Sequence, residues 1–119
     1  MTSARQPDCL FCDIVAGEIP GDVVHEGVRT LAFRDISPAA PIHVLVVPRD
    51  HHSDVAALSA ADPTLVAELM AAAAEVAEAE GLMVGGYRIV LNTGTDGGQT
   101  VSHVHAHVLG GRPMAWPPG

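Results

Sequence analysis

The chain has 119 residues, enough for one hydrophobic core and too short for two, so a single domain spanning residues 1–119 is expected. Its formal net charge of -8 argues against nucleic acid or an anionic membrane as partner. None of its six basic residues is Lys, which excludes Schiff-base chemistry and the P-loop lysine. Hydrophobic residues make up 48% but aromatics only 3%, so the core must be built from Val, Leu, Ile and Ala, and dimerisation would help to stabilise it. The first nine residues lack the apolar stretch of a signal peptide, and no apolar run approaches a membrane span, so a cytoplasmic protein is expected. In a reducing compartment Cys9 and Cys12 read as metal ligands, redox thiols or core residues rather than a structural disulfide.

Asp8 is placed to cap a short helix over residues 9–16 that Gly17 ends, with Phe11, Ile14 and Val15 facing the core. Two short strand-like runs follow at 23–26 and 30–35, joined by a hairpin loop at 27–29, with Leu31 and Phe33 on one face. Pro38 and Pro41 break the next segment into a loop that delivers His43. The run Val44-Leu-Val-Val47, closed by Pro48, reads as a central strand covered on both faces. Asp62 and Pro63 open a long helix over residues 63–80, its buried stripe formed by Leu65, Leu69, Ala72, Ala73 and Val76. Glu68, Glu75, Glu78 and Glu80 read as its solvated face. Residues 87–93 and 103–109 are two further strands joined by a glycine-rich loop. This order of strands around one long helix implies an α+β fold with an antiparallel sheet.

Three of the seven histidines stand at 103, 105 and 107. Along a strand these alternate residues share a face, and a row of imidazoles there must be hydrogen-bonded, metal-bound or solvated. An exposed polar face or a three-histidine metal site would satisfy the row without phosphorus chemistry. The preceding loop, Thr95-Asp-Gly-Gly-Gln-Thr100, adds what phosphate recognition needs: glycines that let backbone N–H groups approach, and donors on Gln99 and Thr100. A neutral imidazole is a good nucleophile toward phosphorus near pH 7, and its phosphoramidate product is labile enough for water to complete turnover.

His103-Val-His-Ala-His-Val-Leu109 resembles the signature of the histidine triad (HIT) superfamily. Asp35-Ile-Ser-Pro-Ala-Ala-Pro-Ile-His-Val-Leu-Val-Val-Pro48, Asn92, Asp96-Gly-Gly-Gln-Thr100 and the ending Trp116-Pro-Pro-Gly119 resemble its Hint branch, the histidine triad nucleotide-binding proteins. The resemblance implies a HIT-like fold of about five antiparallel strands with one long and one short helix. It also implies a homodimer that hydrolyses purine nucleoside 5′-phosphoramidates through a nucleotidyl-histidine intermediate. By the same similarity His105 is the nucleophile, oriented by the His103 carbonyl, with His107, Thr100 and His43 completing the catalytic network. Asp35 would hold the ribose, and Ile36, Phe11, Ile14 and Phe33 would form the base slot. Asn92 and the Gly98-Gln99 backbone would fix the phosphate. The tail, residues 110–119, would contribute to the dimer and bring Trp116 to the partner's active-site mouth. Thr100 and Ala106 depart from the commonest Hint pattern, where serine and a larger apolar residue stand; the hydroxyl survives.

Cys9-Leu-Phe-Cys12 resembles bacterial members in which two cysteines and two histidines hold zinc. The corresponding set here is Cys9, Cys12, His51 and His103, with His52 as an alternative to His51, and such a closed site would be structural, leaving no catalytic cofactor. A metal-free thiol pair under the first helix is the plain alternative. Two other functions fit the same residues: a dinucleoside polyphosphate hydrolase, disfavoured by the Trp-Pro-Pro-Gly ending, and a nucleotide-binding or scaffold protein with incidental hydrolysis.

Overall fold

The computed structural model describes residues 5–119; residues 1–4, part of the segment expected to lack an apolar leader, lie outside the described residues. The elements run α1 (Leu10–Val15), β1 (Val23–Glu26), β2 (Thr30–Arg34), β3 (Ile42–Pro48), α2 (Val55–Ala61), α3 (Pro63–Ala79), β4 (Tyr87–Val90) and β5 (Ala106–Gly110). The strands form one antiparallel sheet in the order β1-β2-β3-β5-β4. The expected α+β class and five antiparallel strands are both present, with three helices instead of two. No helix among the described residues is long and apolar enough to cross a membrane.

Alternation along the strands divides the core between the two sheet faces. Ala32, Val44, Val46, Ala106 and Val108 pack under α3, whose expected stripe of Leu65, Leu69, Ala72, Ala73 and Val76 is buried in full. Leu31, Phe33, Leu45 and Val47 face the other way, where α1 covers them with Phe11, Cys9 and Cys12. The register pairs Leu45 with His107 and places His43 opposite Leu109, so both histidines lie on the α1 face. Because α1 is only six residues long, it covers part of that face and leaves a hollow beside the histidines.

Local departures from the sequence expectations have identifiable causes. Cys9, not Asp8, caps α1: its sulfur accepts the Cys12 N–H at 3.3 Å, while Asp8 sits in a left-handed turn at φ 60°. Helix α2 carries one fully buried side chain, Leu58, and so shows no apolar period; its signal is Asp54, whose carboxylate accepts the Ala57 N–H at 2.8 Å. Strand β5 starts only at Ala106, because the Val104 N–H donates to the His52 carbonyl at 2.8 Å rather than to a neighbouring strand. His103 and His105 therefore precede the strand. Glu80 is not on a solvated face: Arg34 grips both its oxygens, at 2.5 and 3.2 Å, across the sheet edge. Glu68 pairs likewise with Arg29 at 2.9 Å, and Glu75 stands 3.2 Å from the His25 ring.

Candidate active site

The hydrogen bonds around the histidines determine which ring nitrogens carry protons, since a carbonyl only accepts and an amide N–H only donates. His105 Nδ1 lies 2.8 Å from the His103 carbonyl oxygen, so Nδ1 bears the proton and Nε2 keeps its lone pair. The Ala39 N–H donates to His43 Nδ1 at 3.0 Å, which puts the His43 proton on Nε2. That N–H in turn donates to His107 Nδ1 at 2.8 Å, leaving the His107 proton on Nε2. One lone pair and one N–H are thus presented by neighbouring rings, His105 and His107, whose centroids are 4.8 Å apart.

Burial keeps these imidazoles neutral. Desolvation lowers the pKa of His105, opposed by its hydrogen bond to the His103 carbonyl and by the Asp35 charge. For His107, desolvation and then the neighbouring His105 and His43 push it down to about 4. His43 is lowered by desolvation too, against the pull of Asp35. Phe11 braces the His105 ring edge to face, centroids 5.0 Å apart, and packs on Phe33 at 5.4 Å.

The hollow beside them is a cavity of about 750 Å³, within the range of small-molecule sites. Phe11, Ile14, Phe33 and Leu45 form its apolar wall, and Asp35, Thr100, His105 and His107 its polar end. Ile36 lines the mouth with its side chain almost wholly exposed. Asp35 is held by the Ser37 N–H at 2.8 Å and keeps its other oxygen 3.5 Å from His43 Nε2. Leu10, Ile19 and Val101 also line the cavity and carry no signal in the sequence: Leu10 and Ile19 are exposed and Val101 is half-buried.

Six expected residues lie outside this lining: His43 and His103, which act through their neighbours, and Asn92, Gly98, Gln99 and Trp116. Asn92 and Gln99 shape the loop: Asn92 Nδ2 donates to the Gly97 carbonyl at 2.7 Å, and Gln99 Nε2 donates to the Ser53 and Val101 carbonyls at 2.7 and 3.0 Å. Gly98 adopts φ 79°, which lets the loop turn toward Thr100. Trp116 is exposed on the tail, which Arg88 tethers through the Ala115 carbonyl at 2.9 Å. A Cβ at Gly97 would stand 2.2 Å from the Thr93 carbonyl oxygen, so Gly97→Ala must shift the backbone that carries Thr100. It is expected to cost roughly 1–3 kcal/mol, read as a lower denaturation midpoint in urea, and to reduce turnover.

On the far side of His103 the four expected metal-ligating residues converge. Cys9 Sγ and Cys12 Sγ lie 3.4 and 3.5 Å from His103 Nδ1, and Cys12 Sγ lies 3.4 Å from His51 Nδ1. Zinc–ligand bonds of about 2.1–2.3 Å in a tetrahedron give sulfur–nitrogen edges of about 3.5 Å, so the donor set fits that ion. His103 Nε2 donates to the Pro48 carbonyl at 2.9 Å, which turns the Nδ1 lone pair toward the sulfurs. Burial pushes His103 down to about 4, keeping it neutral, and the Gln6 N–H donates to Cys12 Sγ at 3.4 Å. Desolvation raises the Cys12 thiol above its ordinary value. His51, rather than its neighbour His52, supplies the fourth side chain.

A neutral imidazole with a fixed lone pair stands at the polar end of an apolar cavity, an arrangement able to attack an electrophilic centre of a small molecule bound there. The chain belongs to the HIT family: the HIT domain matches residues 16–114. A HIT-like protein from Synechococcus elongatus is 46% identical over 94% of this chain and 97% of its own length. A purine nucleoside phosphoramidase from Escherichia coli is 42% identical over 90% of each chain. Among solved structures, a HIT family hydrolase from Legionella pneumophila superposes with a TM-score of 0.90 at 49% identity, covering 94% of this chain and 100% of that one. A histidine triad protein from Clostridium difficile gives 0.89 at 38% identity, covering 93% and 96%.

Proposed function

We propose that the protein is a Hint-branch hydrolase of purine nucleoside 5′-phosphoramidates, acting through a nucleotidyl intermediate on His105. The observation that carries this reading is the 2.8 Å hydrogen bond from His105 Nδ1 to the His103 carbonyl, which leaves Nε2 unprotonated at the polar end of the cavity. The phosphoramidase from Escherichia coli supports the choice of substrate.

In this reading the base lies between Phe11, Ile14, Phe33 and Ile36, and Asp35 accepts from the ribose hydroxyls. His105 Nε2 attacks phosphorus. The phosphorus–nitrogen bond breaks, and its electron pair leaves with the amine, which takes a proton from solvent. The positive charge that develops on His105 is stabilised by the His103 carbonyl and by Asp35, while the His107 N–H and the Thr100 hydroxyl hold the phosphoryl oxygens. Water then attacks phosphorus, the electron pair of the phosphorus–histidine bond returns to Nε2, and the water's proton goes to solvent. His43 is a positioning residue: it orients His107 and is itself held by the Ala39 amide. Gly98 and Gln99 keep their part through the backbone and fold of the loop, as does Asn92.

Zinc fits Cys9, Cys12, His51 and His103; when bound it supplies a structural cross-link, because four protein ligands leave no open position for substrate. The exposed tail and the edge strand β4 suit a homodimer, in which Trp116 would reach the partner's cavity mouth.

Mass spectrometry of enzyme quenched during turnover tests the proposal. A nucleotidyl adduct on the peptide containing His105 is the expected result, and an adduct absent under conditions of steady turnover would sink it. The pH profile provides a second check. Acid protonates the Nε2 lone pair, and because burial lowers the His105 pKa below the ordinary 6.5, kcat/KM should stay flat down to that pH and fall beneath it. An acid limb centred above 6.5 would contradict the assignment.

A further inference from the structure

A second cavity, of about 450 Å³, lies beside the first, and Leu10, Thr100 and Val101 line both. Beyond this shared wall the lining changes character. Away from its polar end the larger cavity is walled mainly by phenylalanine and aliphatic side chains, whereas the smaller is walled by Gln6, Pro7, Asp8, Ser53 and Ser102. Its remaining donors, on Cys9 and His51, are turned into the sulfur–imidazole cluster. The nucleotide half of the proposed substrate makes no use of this space.

We infer that the smaller cavity receives the leaving-group half of the substrate, and that Asp8 makes it select amines carrying a second, cationic group. The inference rests on the hydrolase reading above and specifies its substrate class. The nucleoside oxygen and the amine nitrogen are bonded to one phosphorus and point apart. With the nucleoside in the apolar cavity and phosphorus at Thr100, the amine's substituent is directed across Thr100 into the polar cavity. A space lined by hydroxyl, amide and carboxylate groups suits a polar chain there, not a second aromatic ring.

Charge then sets the preference. Asp8 carries the one full charge among the described residues lining this cavity. Arg5, the nearest cation in sequence, is committed to Asp13 and Glu18, at 2.7 and 3.1 Å. A carboxylate on the departing amine would meet Asp8 and the field of a chain whose net charge is -8, whereas an ammonium group would find a counter-ion. When the phosphorus–nitrogen bond breaks, the amine leaves with the electron pair, takes a proton from solvent and exits through the polar cavity, its remote cationic group unchanged.

The test uses three adenosine 5′-phosphoramidates of equal chain length whose amines end in ammonium, methyl or carboxylate, together with the unsubstituted phosphoramidate. Asp8 lies at φ 60°, where Asn is as well accommodated as Asp, so Asp8→Asn removes the charge without changing the backbone demand. Each preference is a ratio within one enzyme preparation, so any loss of folded protein cancels. The wild type is expected to favour ammonium over carboxylate by roughly fivefold in kcat/KM at low salt, as suits an exposed charge, and by less at high salt. In Asp8→Asn the ratio should fall to within about twofold of unity. An unchanged ratio in the variant, or a wild type that hydrolyses the unsubstituted compound yet ignores the charge, overturns the inference. Failure on the unsubstituted compound instead overturns the hydrolase reading, so the two failures are distinct.

Discussion

Replacing His105 with Ala is expected to reduce hydrolysis of adenosine 5′-phosphoramidate by about 10⁴-fold or more in kcat, while binding of AMP weakens far less. The argument is one of roles. His105 alone combines a fixed lone pair with a place in the cavity lining; His107 presents a proton there and His103 faces the sulfurs. Remaining groups bind and orient but supply no nucleophile, so residual turnover would be that of water attacking a well-held phosphorus. The substitution opens space beside an existing hollow and removes the ring contacts with Phe11 and His107 and the hydrogen bond to the His103 carbonyl, all outside the core beneath α3, so the variant should stay folded. Single-turnover kinetics with circular dichroism on the same sample checks it. A folded variant that keeps more than about a tenth of the rate would exclude covalent catalysis at His105 and favour a binding protein whose hydrolysis is incidental.

Much of this site was legible because its signals are local. Histidines at alternate positions, a proline-interrupted approach to His43, and the Asp62-Pro63 helix start are short-range patterns that survive any tertiary arrangement. The row of imidazoles was legible as a row but not as two environments. Nothing in His103-Val-His105 says that the chain leaves the ladder at Val104 to bond to His52, which turns the first ring to the thiols and leaves the other two by the cavity. Helix α2 was invisible for a different reason: seven residues with one buried leucine have no period to detect, and its cap Asp54 is one of many acids. Glu80 looked solvated because its partner, Arg34, lies 46 residues away in sequence. The second cavity was equally out of reach, since it is assembled from three separate stretches of chain.

The metal cluster yields the other large effect. Helix α1 is six residues long, too short to persist on its own, yet it supplies Phe11 and Ile14 to the cavity wall. Its anchors to the sheet are Phe11 and the two cysteines, and a cation joining the cysteine sulfurs to His51 and His103 would pin the helix to the segment after β3 and to the segment before β5. Protein purified without chelator should then contain close to one zinc per chain by elemental analysis. Cys12→Ser replaces a sulfur that accepts the Gln6 N–H with a poor zinc ligand, and is expected to cost about 3 kcal/mol or more, lowering Tm by roughly 10–20 °C. Below that transition the site of attack persists, because the His105 hydrogen bond uses the His103 carbonyl and not its ring. The loosened wall of α1 should therefore raise KM more than it lowers kcat, and chelator should leave the folded wild type active. A full loss of kcat at temperatures where Cys12→Ser is folded would make the ion catalytic. Wild-type protein free of metal, with Tm unchanged in the variant, would reduce the four side chains to a buried thiol pair beside two imidazoles.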